Sequence, residues 1–274
     1  MSAPAGAAPA PVAASLPRRL LQAVDDCLIV TGRNLRHFVR QPQLLIFSTI
    51  QPIMFVLLFA FVFGGAIGSS LPPGVEYVDF LLPGIFIQAA AFRSTQTAVG
   101  LAEDLDRGVI DRFRAMPIAR SAVLIGRTAA DLLRNVFVTL LMTAVGYLIG
   151  FRFRTGVLEA GGAILVVLAF GFALSWIFTY VGLRVRGAEA AQSAGFVAIF
   201  PLVFASSVFV PVSTMPAGLE WFASVSPVTA SVDAARALSI GGEVAEPLLR
   251  SMAWVAGILL IFVPLCVRRY RRMG

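Results

Sequence analysis

The hydrophobic pattern divides the chain into six long apolar segments joined by short polar connections. Each segment is close to the roughly 20 residues that an α-helix needs to cross the hydrocarbon core of a membrane. Backbone groups inside a membrane must bond within their own segment, and helices satisfy this requirement in segments this apolar. The sequence therefore predicts an all-α integral membrane protein with six transmembrane helices, whose approximate cores are 44–67, 80–101, 128–150, 161–183, 191–212 and 248–267.

The residues before the first apolar segment divide into two parts. Residues 1–17 are rich in Ala and Pro and lack a basic start followed by an apolar run, so we expect a disordered tail rather than a secretory signal. In residues 18–41 apolar side chains recur at helical intervals opposite charged ones, which predicts an N-terminal amphipathic helix lying in the cytoplasmic interface. The predicted membrane domain occupies residues 42–274.

The composition agrees with a membrane protein and orients it. The chain of 274 residues is 58% hydrophobic and 14% charged, too apolar for a soluble domain of its size. All 22 basic residues are arginine, and most of them lie inside if both termini are cytoplasmic, while Arg152, Arg154 and Arg236 lie outside. We therefore expect a multi-pass plasma-membrane protein with cytoplasmic termini. A net charge of +7 would suggest nucleic acid in a soluble protein, but here the placement of the charges matters more than their sum, so membrane lipids and no nucleic acid are the expected partners.

A charged island at residues 103–127 separates the second and third apolar segments. It mixes acidic and basic side chains, whereas a lipid-binding patch is mostly basic. At helical spacing its apolar residues share one face, so the segment can contact the membrane domain on one side and a soluble partner on the other. Pro117 predicts a break after a short helix, with a new helical run from Arg120. An ordinary solvated loop is the alternative.

A few polar side chains interrupt the apolar segments. Arg93 lies roughly 15 Å along a helix from the charged island, near mid-membrane. Arginine there costs about 2.5–3.5 kcal/mol on insertion scales, so Arg93 should face protein or a wet cavity. Together with Gln88 and Gln96 it can line a pathway, and the alternative is a structural pairing with a neighbouring helix. Asp131 and Arg134 are predicted to pair with each other.

The connection at 213–246 is too long and too apolar for a plain loop. Prolines break it into two parts, which predicts two short re-entrant helices that enter the outer leaflet and turn back. Trp221 suits the membrane interface. The residues that define this outer re-entrant segment are Pro216, Trp221, Pro227, Asp233 and Arg236. Packing filler for the outer face is the alternative.

The chain carries no recognisable catalytic chemistry of its own. A Walker A loop needs a lysine on the nucleotide phosphates, and the sequence contains none, so we expect any energy from ATP to come through a partner. No HExxH or GxSxG element is present, so an enzyme is not expected. Cys27 and Cys266 are expected to be free thiols, and no spacing predicts a metal site.

Three stretches resemble the membrane subunit of type-2 ABC transporters, in particular the daunorubicin and doxorubicin resistance permeases. The first is the charged island, with its acidic, arginine and glycine pattern followed by Pro117. The other two are FPLVFASSVFVPVSTMP at 200–216 and LEWFASVSPVTASVDAARAL at 219–238, similar to the family's fifth span and outer re-entrant helices. Two positions depart from the pattern: Leu105 stands where a charged residue is usual, and Ser226 where an asparagine often precedes the proline.

The resemblance implies an export permease of the kind involved in multidrug resistance. Two six-span subunits would form a pore, so a second permease copy or a paralogue is an implied partner. A separate ABC ATPase subunit, which binds the ATP and Mg, would dock on the charged island as a coupling helix and drive an amphipathic drug or lipid-like substrate outward. The residues implied in ATPase coupling are Glu103, Asp104, Asp106, Arg107, Gly108, Asp111, Arg112 and Phe113.

An ion- or proton-coupled secondary transporter is the alternative function. Such proteins usually place acidic residues in mid-membrane and contain inverted repeats. The apolar segments hold almost no mid-membrane carboxylate, and no internal repeat is visible. The export permease is therefore the leading hypothesis.

Overall fold

A computed structural model describes residues 32, 42–65, 75–109 and 120–272, and these contain helices, turns and loops but no β-strand. The all-α prediction is confirmed for this part of the chain. The predicted N-terminal tail and almost all of the predicted interfacial helix lie outside it. The helices are α1 Pro42–Leu58, which continues as a π-helix at Phe59–Phe63, α2 Tyr77–Asp106, α3 Arg120–Ile149, α4 Val157–Gly182, α5 Ala188–Phe204, α6 Ala217–Val225, α7 Pro227–Ile240 and α8 Ala245–Arg272.

Several of these helices can cross a membrane. In the described residues, Thr128–Ile149, Val157–Gly182 and Ala245–Arg272 are long and apolar enough to span it, and Ile50–Phe63 and Ala188–Phe204 are shorter apolar helices. The chain is therefore a multi-pass membrane protein. A sixth span would have to be α2, which carries Asp79 and Arg93 within its apolar sequence. The six-span count stays a prediction.

Helix α2 is the central element of the fold. It packs against α3, α4, α5 and α7, and most of its residues are buried. Glycines allow its neighbours to come close: a Cβ on Gly182 of α4 would lie only 2.8 Å from the carbonyl oxygen of Ala98, and one on Gly195 of α5 would lie 2.8 Å from the Cβ of Thr95. Because these glycines allow such close approach, α2 is held tightly by the helices around it.

Helix α5 ends at Phe204, so the prediction that the fifth span continues to residue 212 is wrong. The chain can leave the helix inside an apolar segment because α7 satisfies the freed backbone groups of Ser207. The Ser207 N–H donates to Thr229 Oγ1 at 3.2 Å, and its carbonyl oxygen accepts from Arg236 Nη2 at 2.8 Å. Gly84 of α2 makes room, since a Cβ there would lie 2.5 Å from the carbonyl oxygen of Val208.

The two short helices predicted for the last connection are present as α6 and α7, which we call the cap. Pro216 directly precedes α6, and Pro227 is the first residue of α7. Ser226 caps α7, because its side chain accepts a hydrogen bond from the Val228 N–H at 3.2 Å. Serine and asparagine cap helices about equally well, which explains why Ser226 can stand where the resembling family often has asparagine.

Candidate functional site

The charged end of α2, residues 103–108, comprises the last turn of that helix and the two residues that follow it. Helix α2 ends at Asp106, the chain turns at Arg107 and Gly108, and Val109 is helical again. The short helix predicted up to the break at Pro117 therefore lies mostly outside the described residues. Gly108 adopts a φ of 64°, the left-handed conformation that commonly ends a helix. The chain is helical from Arg120, where the described residues resume. Three further predicted coupling residues lie outside the described part of the chain, namely Asp111, Arg112 and Phe113.

Charged side chains at this end are accessible to a partner. Arg107 Nη2 lies 3.5 Å from Glu103 Oε2, and both side chains are exposed. Asp106 is also exposed, whereas Asp104 is partly buried. Exposed ion pairs of this kind contribute about 0–1 kcal/mol to stability, so the fold loses little if a partner exchanges them for contacts of its own.

Polar contacts join α2 to α3 in the middle of both helices. Arg93 is 7% exposed, and its Nε donates a 2.7 Å hydrogen bond to Asn135 Oδ1. One turn further along α2, the Thr97 hydroxyl donates to Asp131 Oδ2 at 2.6 Å. Asp131 Oδ1 in turn lies 3.2 Å from Arg134 Nη2, so the predicted pairing of these two residues is confirmed. Helices α2 and α3 run antiparallel, so the two contacts lie one helical turn apart along both helices.

The three residues predicted to line a pathway do not share one environment. Gln88 and Arg93 are buried, while Gln96 is exposed. Within the described residues, Gln88 Oε1 and Arg93 Nη1 are buried atoms without a hydrogen-bond partner. Unpartnered polar atoms are unusual inside proteins and carry a desolvation cost. Both therefore have hydrogen-bonding capacity that this conformation does not use.

Arg236 connects the cap to the beginning of α2. Its Nε donates to the Phe80 carbonyl oxygen at 3.0 Å, and its Nη2 donates to that of Ser207 at 2.8 Å. Nη1 pairs with Asp233 at 3.1 Å, and the guanidinium carbon lies 3.6 Å from the centroid of the Phe80 ring. Predicted cap residues Asp233 and Arg236 thus meet in one cluster. Trp221 lies apart from it on α6 and is 69% exposed.

Asp79 makes a second connection between α2 and the cap, which sequence reasoning missed. This buried carboxylate accepts from the Arg152 backbone N–H at 3.2 Å and from Arg154 Nε at 2.8 Å, and Arg154 Nη2 lies 2.7 Å away. The Arg154 backbone N–H donates to the carbonyl oxygen of Ser239 in α7. An acidic residue at the start of an apolar segment was the available signal, but its arginine partner is 75 residues away.

These contacts make α2 a continuous link between two ends of the molecule. Its 30 residues correspond to roughly 45 Å of helix, enough to cross a membrane. Exposed charges lie at one end, and the cap is bound to the other through Asp79 and Arg236. Arg93 and Thr97 attach the middle to α3.

Comparison with known proteins identifies the family to which this arrangement belongs. The model of the ABC-2 type transporter family matches residues 25–239, which include α1 to α5 and nearly all of the cap. The chain belongs to the ABC-2 type transporter family.

Relatives in this ABC-2 family align along nearly the whole chain. The daunorubicin resistance ABC transporter permease protein DrrB1 of Streptomyces coeruleorubidus is 34% identical over 249 residues, 91% of this chain and 87% of that protein. The probable doxorubicin resistance ABC transporter permease protein DrrC of Mycobacterium tuberculosis is 29% identical over 256 residues, 91% of this chain and 89% of its own length. The expected resemblance to type-2 ABC permeases is therefore confirmed.

Proposed function

We propose that this chain is the membrane permease subunit of an ABC exporter. It moves an amphipathic drug or lipid-like substrate across the plasma membrane, using ATP that a separate subunit binds with Mg and hydrolyses. The observation that carries the proposal is the match to drug-resistance permeases over 91% of the chain. The structure supports it with a single long helix, α2, that joins an accessible charged end to the cap.

The ATPase docks on residues 103–127, and the charged end of α2 forms the N-terminal part of this contact. Glu103, Asp106 and Arg107 expose charges that can pair with an ATPase surface. Because these residues continue directly into α2, closure of an ATPase dimer displaces the helix rather than bending a loop. Such transmission needs a rigid element with two arrangements, and α2 with its attached cap provides that element.

The cap closes the outer end of the pathway as a pair of re-entrant helices. Asp79 and Arg236 bind α2 to the cap, so the two move together. Gln88, Arg93 and Gln96 line the route, and the unused hydrogen-bonding capacity of Gln88 and Arg93 becomes available when α2 shifts. Two permease subunits, either two copies or this chain and a paralogue, form the complete pore. Both termini are cytoplasmic, and membrane lipids surround the remaining apolar surface.

Co-expression with an ABC ATPase encoded in a neighbouring reading frame tests this proposal. We expect the two proteins to co-purify, the permease alone to show no nucleotide hydrolysis, and the complex to hydrolyse ATP. A matched control replaces the Walker A lysine of the ATPase, which should abolish hydrolysis while preserving the complex. Nucleotide hydrolysis by the permease alone, together with failure of any ATPase to co-purify, would overturn the proposal.

A further inference from the structure

A groove lies between the cap and the beginning of α8. Its volume is about 590 Å³, within the range of about 300–1,000 Å³ that is usual for small-molecule sites. Its walls come from the end of α6, the beginning of α7 and the second and third turns of α8, namely Ser224, Val225, Ala230, Arg250, Ala253 and Trp254. The Ser224 hydroxyl already donates to the Trp221 carbonyl oxygen. The groove is therefore apolar, with Arg250 as its one charged group.

Arg250 pairs with Glu246, which lies one turn earlier on α8. The Arg250 Nη2 donates to Glu246 Oε1, and the two side chains are 62% and 56% exposed. Arg250 makes no other hydrogen bond within the described part of the chain, so its Nε and Nη1 donors are open to a ligand. The pair thus presents a cation and an anion side by side at the mouth of the groove.

The same face of α8 continues into the membrane as apolar surface. Trp254, Gly257 and Ile261 follow Arg250 by four, seven and eleven residues, a spacing that keeps them on one side of the helix. Trp254 is 44% exposed and Ile261 56%. A Cβ on Gly257 would meet nothing within 4 Å, so a shallow notch separates the two larger side chains. From Arg250 to Ile261 the helix rises roughly 16 Å, about half the roughly 30 Å thickness of the hydrocarbon core.

The order of groups along this face matches the order of groups in a phospholipid with an amine headgroup. Glu246 is nearest the start of the helix, Arg250 lies one turn of about 5.4 Å deeper, and Trp254 lies one turn below that. In such a lipid the ammonium is outermost, the phosphate comes next, and the ester carbonyls and acyl chains follow. Guanidinium groups bind phosphate through paired hydrogen bonds, and tryptophan is enriched at the level of the headgroups.

We propose that this face of α8, together with the groove, holds one molecule of phosphatidylethanolamine. Its ammonium pairs with Glu246, its phosphate accepts hydrogen bonds from Arg250, and an acyl chain lies over Gly257 and Ile261. The carboxylate beside the arginine disfavours a headgroup that carries only negative charge. A choline headgroup has no N–H to donate to Glu246. The lipid is a resident of the membrane bound beside the cap rather than a transported substrate, so the site goes beyond the proposed function.

Native mass spectrometry of the full-length chain tests this site. The chain would be equilibrated in detergent with equal amounts of phosphatidylethanolamine, phosphatidylcholine and phosphatidylglycerol that share the same acyl chains, and the retained lipids would be counted. We expect the unmodified chain to retain phosphatidylethanolamine about fivefold in preference to each of the others, as one exposed ion pair allows. Glu246→Gln should remove the preference over phosphatidylcholine. Arg250→Gln should lower retention of all three lipids about fivefold.

Glu189→Gln is the matched control for Glu246→Gln, because Glu189 is exposed in the first turn of α5 as Glu246 is in the first turn of α8. It should keep the lipid preference of the unmodified chain.

Three results would overturn the proposal. One is equal retention of the three lipids by the unmodified chain, and another is the same preference in Glu246→Gln as in the unmodified chain. The third is a change of oligomeric state in Arg250→Gln without loss of lipid, which would assign this face to contact with a second copy. Because the measurement needs neither ATPase nor ATP, its failure would leave the exporter proposal standing. Failure of the exporter proposal would appear instead as no ATP-driven transport by a chain that still retains the lipid.

Discussion

Arg93 of α2 donates a 2.7 Å hydrogen bond to Asn135 of α3, and both side chains are buried. The arginine expected near mid-membrane is thus attached to a neighbouring helix and still keeps one nitrogen, Nη1, without a partner among the described residues. This combination suits an element that is stable in one arrangement and able to adopt another. The contacts of Arg93 therefore relate the packing of α2 to the proposed transport cycle.

A double-mutant cycle on this pair measures the link between α2 and α3. Arg93→Met and Asn135→Leu should each destabilise the protein, and the double variant should lose less than the sum because the shared hydrogen bond can be lost only once. We expect a coupling of about 0.6–1.7 kcal/mol, the range of interhelical hydrogen bonds in membranes. Unfolding in mixed detergent micelles measures it. Gln96→Leu combined with Asn135→Leu is the additive control, and additivity in the Arg93 cycle would contradict the contact.

The Asp79 connection predicts that the cap loosens when one charge is removed. Asp79→Asn keeps the shape and weakens charge-assisted hydrogen bonds from Arg154, so the free energy of unfolding should fall by about 1–3 kcal/mol. Glu246→Gln is the matched control, because Glu246 pairs with Arg250 where both side chains are exposed. Its effect should stay within about 0.5 kcal/mol. Equal effects of the two substitutions would rule out a special role for Asp79.

Close packing of α2 and α4 predicts strong sensitivity at one glycine. In Gly182→Ala the new Cβ would meet the Ala98 carbonyl oxygen at 2.8 Å, so the helices must separate, at a cost of about 1–3 kcal/mol. Gly257→Ala in α8 adds the same methyl group where nothing lies within 4 Å. Thermal unfolding should therefore shift downward for Gly182→Ala alone. No difference between the two would show that α2 and α4 do not approach as described.

The hydrophobic pattern was sufficient to predict most of the helices. Long apolar segments locate α1 to α5 and α8 because a membrane helix must be apolar along its length. Helix boundaries set by local chemistry were also predictable: α6 follows Pro216, and α7 begins at Pro227. These features depend on residues that are close in sequence.

Contacts between distant residues could not be predicted in this way. The early end of α5 depends on Thr229 and Arg236, which satisfy the backbone of Ser207 from another helix. Asp79 and Arg154 are 75 residues apart, further than either of those pairs, and nothing local to either one indicates the other. The stacked rings of Phe204, Phe209 and Phe59 come from α5, from the segment after it and from the π-helical continuation of α1. Their stacking is a property of the packing rather than of any single helix.

Charge removal at the end of α2 tests whether this region couples to an ATPase. The double substitution Glu103→Ala and Asp106→Ala should weaken co-purification of the ATPase or uncouple ATP hydrolysis from transport, since it removes two charges next to the proposed docking surface. Glu243→Ala with Glu246→Ala removes the same charge at exposed positions just before α8 and in its first turn, and should change neither property. Unchanged assembly and coupling in the Glu103 and Asp106 variant would contradict the assignment of the charged end.

ATP-driven transport by the reconstituted complex tests the central claim most directly. Liposomes would contain the permease with its ATPase, the permease with an ATPase lacking the Walker A lysine, or the permease alone. Rhodamine 6G and a fluorescent phospholipid would report on a drug-like and a lipid-like substrate. Each preparation would be measured with ATP on the ATPase side, and again with a proton gradient and no ATP.

We expect substrate to move away from the ATPase side only when the permease, an intact ATPase and ATP are present together. A proton gradient alone should have no effect. Transport by the permease alone in response to a proton gradient, with no contribution from ATP, would contradict the account and make this chain a secondary transporter.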